Sequence, residues 1–271
     1  MSPRAKPDPF EEYVRKVASG SKPPAGSEEK LRDALTEPIR EHAPEPAAAP
    51  AATADEATQA TTASPMPEII LGGCLAPVEV LALFRAQYER SGRAFAARLA
   101  GEAFELLKRE YPDSRSSVDC MAVSAGPVLQ PAADAPFVAV LTAGRADMKA
   151  AAEAEFLLTE CGVPWHMFVD FGSTGIQRLA SSMQEIGRAA VCLVFAGMDG
   201  GLPSILGGFY TGPVIAVPTS GDSRPPFGGI APLMSMLASG TPGIAVVNID
   251  NGLGAAAAAL RILGSRGGSG S

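Results

Sequence analysis

From residue 137 to residue 263 the chain alternates short, continuously apolar runs with segments of helical spacing, and this alternation constrains the fold more than any other feature. Strands are expected at 137–142, 165–169, 190–196, 213–218 and 243–249, and helices at 146–161, 175–186, 202–209, 230–237 and 254–263. Strands that are apolar on both faces and alternate with helices form a parallel sheet covered on both sides. The expectation is an α/β fold with a doubly wound, five-stranded parallel sheet. Ligands of such folds bind beyond the carboxyl ends of the strands, so the loops that follow each strand are where function is sought.

Charge divides the chain in the same way. Residues 1–135 carry 35 of the 51 charged side chains and residues 136–271 only 16, which marks the second half as the buried core. Residues 1–42 hold an amphipathic pattern (Phe10, Tyr13, Val14, Val17, then Leu31, Leu35, Ile39) that suits two short helices. Residues 43–66 are almost entirely Ala, Pro, Thr, Glu, Asp, Gln and Ser, a composition that does not offset its ordering entropy and reads as a disordered tether. Residues 67–135 read as a small α/β domain, 136–263 as the main domain and 264–271 as a Gly/Ser coil. Within the small domain, strands are expected at 68–71, 93–99 and 120–123 and helices at 77–88 and 103–111.

A net charge of −7 makes nucleic acid and anionic membranes poor partners. No apolar run approaches the roughly 18 residues of a membrane span, and the first nine residues carry Arg4 and Lys6 without an apolar stretch, so a cytoplasmic location is expected. Cys74, Cys120, Cys161 and Cys192 lack CxxC spacing, which argues against a disulfide framework or a zinc site. No His/Asp/Glu cluster has metal-ligand spacing; His42 borders the tether, and His166 sits inside a strand, where a packing role is expected. Neither G-x-G-x-x-G, nor a Walker P-loop, nor a G-x-S-x-G elbow is present, which weakens the dehydrogenase, nucleoside triphosphatase and α/β-hydrolase readings.

The loops themselves are suited to a phosphorylated ligand. After the first strand, Thr142-Ala-Gly-Arg-Ala-Asp147 offers small residues and a helix N-terminus; Asp147 reads either as a helix cap or as a ligand group. After the third strand, Ala196-Gly-Met-Asp-Gly-Gly-Leu-Pro-Ser204 is again glycine-rich. The loop after the fourth strand, residues 218–229, is polar and carries Arg224, and reads as a flap over phosphate or as a solvated loop. Asn248-Ile-Asp-Asn-Gly-Leu-Gly254 packs amides and a carboxylate into a turn that an Asx turn with a helix cap would also explain.

Taken together, Val140-Leu-Thr-Ala-Gly144, Phe195-Ala-Gly-Met-Asp-Gly-Gly-Leu-Pro-Ser204, Gly212-Pro-Val-Ile-Ala-Val-Pro-Thr-Ser220, Phe227-Gly-Gly229 and Gly243-Ile-Ala-Val-Val-Asn-Ile-Asp-Asn-Gly252 resemble the LarB family. Its members are pyridinium-3,5-biscarboxylic acid mononucleotide synthases, also called circadian phase modifier homologues, built on the flavodoxin-like three-layer fold of PurE, the aminoimidazole ribonucleotide carboxylase. The resemblance covers residues 137–263 and, faintly, 67–124, through Pro67-Glu-Ile-Ile70, Pro77 and Arg98-Leu99. It implies carboxylation of the pyridinium ring of nicotinic acid adenine dinucleotide with CO2 or bicarbonate, hydrolysis of the phosphoanhydride and supply of a nickel-pincer cofactor. A pyridinium is too electron-poor to attack CO2, and the family adds a cysteine thiolate to the ring to make it a nucleophile. The resemblance also implies a homo-octamer.

This chain departs from the pattern at the chemistry. Ala238-Ser-Gly-Thr241 stands where the family has Asn-Ser-Cys-Ala, so the nucleophilic sulfur is missing at Gly240. Gln177, in Gly175-Ile-Gln-Arg-Leu179, replaces a histidine, and an amide does not transfer protons at neutral pH. Ala146 replaces a serine, Leu75-Ala76 a Lys-Thr pair, and Asp222, Ser223 and Arg224 stand in a flap that lacks its usual tyrosine. Carried over by position, Gln177, Ser239 and Asp250 line the reacting face as the catalytic set. Asp147 and Asp199 orient ribose or phosphate, Gly197 and Gly200 present backbone N–H groups, and Gly144, Ser204, Thr219, Ser220, Asn248 and Asn251 complete the substrate-binding set. No resident cofactor is required, CO2 or bicarbonate is the co-substrate, and Mg2+ is the candidate metal. Three readings follow: a carboxylase whose substrate ring needs no thiol, the full LarB reaction with Cys74 recruited as the thiol, and a nucleotide-binding scaffold that assembles with an active homologue through the N-terminal extension.

Overall fold

The computed structural model describes residues 66–172, 175–221 and 228–267, all within one compact unit spanning Ser64–Ser271. The expectations for residues 1–65, for Asp222, Ser223, Arg224 and Phe227 and for residues 268–271 lie outside the described residues. The described chain runs β1 (Ile69–Leu71), α1 (Pro77–Ser91), β2 (Ala94–Ala97), α2 (Gly101–Glu110), β3 (Arg115–Ser117), β4 (Ala122–Ala125), β5 (Val138–Thr142), α3 (Met148–Glu160), β6 (Trp165–Phe168), α4 (Ile176–Ile186), β7 (Val191–Ala196), α5 (Leu202–Gly207), β8 (Val214–Pro218), α6 (Ile230–Leu237), β9 (Ile244–Val246) and α7 (Gly252–Gly267).

The second half forms the expected all-parallel sheet, in the order β6-β5-β7-β8-β9. Alternate residues of its central strands feed opposite cores, as the two-residue period of a strand requires. Val138, Val140, Leu193, Phe195, Ile215 and Val217 pack with α3 and α7 on one face, whereas Ala139, Leu141, Cys192, Val194 and Ala216 pack with α4, α5 and α6 on the other. The edge strands depart from that reading: His166 on β6 and Ala245 on β9 are exposed, because an edge has a neighbour on one side only. His166 packs all the same, stacking on Phe137 at 4.4 Å and meeting Glu185 at 2.8 Å.

The first half forms a four-stranded sheet, β1-β2-β4-β3, with β1 parallel to β2 and the other pairs antiparallel. Strand β3 was not expected, since Arg115-Ser-Ser117 is polar and short, as edge strands are. Ala94 and Ala96 of β2 pack beneath Val80, Phe84, Phe104 and Leu107 of α1 and α2, while Phe95 and Ala97 join the core of α3 and α7. Helix α3 thus lies between the two sheets. Its buried Glu153 and Glu160, two turns apart, each grip an arginine of the first half through Nε and Nη2: Arg98, just past β2, at 2.7 and 2.8 Å, and Arg115 of β3 at 2.7 and 2.5 Å.

Several element boundaries differ from expectation. Residues 145–147 form a 3-10 turn, so α3 begins at Met148 rather than at Ala146. Strand β9 ends at Val246, three residues short of expectation, and the chain then enters a turn in which Asp250 takes the left-handed conformation (φ 55°). Helix α7 starts at Gly252 and continues to Gly267, so residues 264–267 are helical rather than coil; each residue added to a formed helix gains a backbone bond. Among the described residues no helix is long and apolar enough to cross a membrane.

Candidate functional site

At the carboxyl ends of β5, β7 and β8 a single carboxylate ties the loops together. Asp147, 4% exposed, accepts the Gly144 N–H on Oδ2 at 2.8 Å and the Thr219 hydroxyl on Oδ1. Gly197 comes so close that a Cβ there would sit 2.9 Å from the Thr219 hydroxyl oxygen. Burial raises the Asp147 pKa above the usual aspartate range, opposed by the Thr219 hydroxyl and the Gly144 and Gly197 N–H groups. The helix-cap reading of Asp147 is not what the structure shows: its side chain makes no capping bond to α3 and reaches backward into the turn.

Beside this knot lies a cleft of about 270 Å³. Helix α3 lines it with Lys149, Ala150 and Glu153, the loops after β5, β8 and β9 with Ala146, Ser220, Gly221 and Asp250, and the smaller sheet with Arg98. Arg98 follows β2 in the left-handed conformation (φ 54°), which swings its guanidinium toward the larger sheet. Besides Glu153, its Nη2 donates to the Asp250 carbonyl at 3.0 Å and to Asn251 Oδ1 at 3.2 Å. Glu153 Oε2 also accepts the Leu253 N–H at 3.2 Å, so one ion pair holds the turn into α7. Asp250 Oδ1 accepts the Ser220 N–H at 2.8 Å. Asn251 Oδ1 accepts the Gly254 N–H at 3.0 Å, the N-cap bond of α7, and its amide donates to Asn248 at 3.3 Å.

Of the residues expected from the sequence, the structure brings Asp250 and Ser220 to the cleft wall and Asp147, Gly144, Gly197 and Thr219 to the knot beside it. Gln177 is exposed in the first turn of α4 and lies outside the cleft, and Asp199 is exposed, accepting the Gly201 N–H at 3.3 Å. Gly200 packs against the Pro232 carbonyl at the start of α6. Ser239 also lies outside the cleft, sharing a 2.8 Å hydrogen bond with Ser204 and accepting the Thr241 N–H at 3.2 Å. Next to it Gly240 is exposed, and a Cβ there would meet nothing within 4 Å.

The thiols stand apart from the cleft lining. Cys120, Cys161 and Cys192 are buried, and desolvation raises the pKa of each, to about 11 for Cys161 and about 12 for Cys192. Cys74 is exposed, one residue beyond Gly73, whose Cβ position lies 3.5 Å from the Arg98 carbonyl. The donors do not suit a divalent cation: both oxygens of Asp147 and of Glu153 are committed, and among the described residues no three His, Cys, Asp or Glu side chains converge.

Sequence reasoning gave no role to Lys149 or Glu153 of the cleft, and Arg98 stood out only through the resemblance. The signal that would have found Arg98 and Glu153 is spatial, since 55 residues separate them.

Comparison with known proteins agrees with this geometry. The AIR carboxylase family model matches residues 137–268, which is the parallel sheet with its helices. N5-carboxyaminoimidazole ribonucleotide mutase of Methanocaldococcus jannaschii is 32% identical over 131 residues, covering 46% of this chain and 78% of that protein. The chain belongs to the AIR carboxylase family. An uncharacterized protein of the same organism is 46% identical over 121 residues, 44% of this chain and 46% of that protein, so the match spans about half of that relative's length. Family membership supports a carboxylase- or mutase-type function, in keeping with a cleft at the carboxyl ends of parallel strands.

Proposed function

We propose that the chain transfers a carboxyl group to a ring carbon of a nucleotide bound in the cleft between α3, Asp250 and Arg98. The observation that carries this reading is Asp250, a residue of the cleft wall whose Oδ1 is fixed by the Ser220 N–H at 2.8 Å and whose side chain makes no other hydrogen bond among the described residues. In the step proposed, an electron-rich ring carbon attacks CO2, a carbon–carbon bond forms, and the proton displaced from that carbon passes to the Asp250 carboxylate. CO2 comes from solution, from bicarbonate or from an N-carboxylated substrate of the kind named for the mutase relative.

An aminoimidazole-type ring fits this scheme best, because it is already nucleophilic and the cleft lining holds no thiol. The finer reading implied by the LarB resemblance is carboxylation of nicotinic acid adenine dinucleotide with hydrolysis of its phosphoanhydride. That chemistry needs a thiolate, and Cys74 is the exposed cysteine beside the Arg98 strand end. We further propose cytoplasmic homo-octamers, and a role for residues 1–42 in docking an active homologue if the chain itself proves to be a binding subunit.

The test is incubation of the purified chain with bicarbonate and, in turn, aminoimidazole ribonucleotide, nicotinate mononucleotide and nicotinic acid adenine dinucleotide, with mass spectrometry for the gain of one CO2. Gain on the aminoimidazole substrate, abolished by Asp250→Asn and unaffected by Cys74→Ala, is the expected result. Gain confined to a pyridinium nucleotide and lost in Cys74→Ala would establish the thiol route. Nucleotide binding without mass gain would leave the scaffold reading.

A further inference from the structure

Beside the cleft, a residue at a strand end of the smaller sheet is bonded to a turn of the larger one, and both are left-handed without being glycine. Arg98 follows β2 with φ 54°, and Asp250 lies in the turn after β9 with φ 55°. That conformation is uncommon for a residue with a Cβ and persists where the surroundings hold it. Asp250 is held at three polar atoms. Its N–H donates to the Pro218 carbonyl at the end of β8 at 2.9 Å, and its Oδ1 accepts the Ser220 N–H. The third bond crosses between the sheets: the Asp250 carbonyl accepts Arg98 Nη2 at 3.0 Å, and Asn251 Oδ1 next to it accepts the same nitrogen at 3.2 Å.

Arg98 is itself fixed at both ends. The first half sets its backbone, because Leu99, 5% exposed, is buried with Val80 and Phe84 and donates its N–H to the Met121 carbonyl at 3.0 Å. Helix α3 sets its guanidinium, because Glu153 takes Nε and Nη2 edge-on and also accepts the Leu253 N–H of α7. A planar guanidinium can serve a carboxylate edge and further acceptors at once, whereas an ammonium is a single point donor. Arg98 lies outside residues 137–268, which carry the family likeness. We infer that Arg98 is a positioning residue: by fixing the backbone of the turn it sets the Asp250 carboxylate in the cleft, so that the smaller sheet takes part in the chemistry of the larger one. This inference rests on the proposed carboxyl transfer at Asp250.

The experiment compares Arg98→Lys with Arg115→Lys in the full chain. Both keep the charge and give up an edge-on grip on a glutamate of α3, but Arg115 bonds to Glu160 and the Gly126 carbonyl and stands outside the cleft lining. Hydrogen exchange followed by mass spectrometry reads the turn itself, and steady-state carboxylation of aminoimidazole ribonucleotide reads its use. In Arg98→Lys, peptides covering Ser220 and residues 248–254 should exchange about tenfold faster, the equivalent of one charge-assisted hydrogen bond. Its kcat should fall about tenfold or more with KM within about twofold of wild type. Arg115→Lys should leave both readings as in wild type, whatever its Tm. Glu153→Gln, which weakens the grip from the α3 side, should loosen the same peptides. Unchanged exchange of the turn in Arg98→Lys overturns the inference, as does equal loosening in Arg115→Lys. Faster exchange with wild-type kcat makes Arg98 merely structural and overturns it too, and a raised KM at constant kcat does so by making Arg98 a substrate contact. If no nucleotide gains CO2 even in wild type, the carboxylation reading fails, and exchange alone decides whether Arg98 holds the turn.

Discussion

Asp147 is the residue on which three strand ends converge, and its environment fixes a pH response. Burial lifts its pKa in the folded chain above the unfolded value of about 3.9. Its contribution to stability is therefore fully present below the unfolded pKa and is lost as pH rises through the raised, folded one. The stability of wild type minus that of Asp147→Asn, measured by urea denaturation, should be largest near pH 3 and should shrink as pH climbs through that window. A difference that grows with pH would mean that the hydroxyl and N–H partners outweigh desolvation. Gly240 behaves oppositely, because a Cβ added there would point into open space. Gly240→Cys should leave stability within about 0.5 kcal/mol of wild type and add a fast-reacting thiol in a reagent titration. The loop residues were legible in sequence as small, polar and turn-forming, but their division of labour was not. Asp147 and Asp199 look alike on paper; one is buried under Thr219 and the other faces water.

The elements were legible wherever a period repeated. The central strands β5, β7 and β8 and helices α1, α4 and α6 are announced by continuous apolar runs or by three-and-four spacing. What escaped was pairing across distance: β3 is too short and polar to show a period, and the grip of Glu160 on Arg115 spans 45 residues. That grip predicts a large single-site effect. Arg115→Ala leaves Glu160, 1% exposed, with Ser124 as its remaining side-chain partner and should cost about 3 kcal/mol or more. The double variant Arg115→Met with Glu160→Leu should recover most of it in a double-mutant cycle. The contact between α3 and α7 is equally unforgiving. A Cβ at Gly252 would overlap the Ala150 carbonyl oxygen and come within 2.9 Å of Glu153 Cβ, so Gly252→Ala should lower stability by about 1–3 kcal/mol. It should also loosen ligand binding, because the displaced turn carries Asp250.

At the scale of the molecule, α6 turns Ile230, Met234 and Leu237 outward, 51, 58 and 60% exposed, on one helical face of the sparsely charged half. Burial of that stripe between copies is the expected outcome, and light scattering should give a multiple of the 27.8 kDa chain mass, an octamer if the LarB resemblance extends to assembly. Met234→Glu should shift the distribution toward smaller species, and a monomeric wild type would contradict the assembly. The open space around Gly240 has a consequence of a different kind. Where its codon ends in a pyrimidine, one base substitution turns that glycine into cysteine, and the fold would not register the change. Thiol-dependent and thiol-independent chemistry would then be separated by a step that selection on folding cannot see, and lineages could cross between them in either direction while the scaffold stayed as it is.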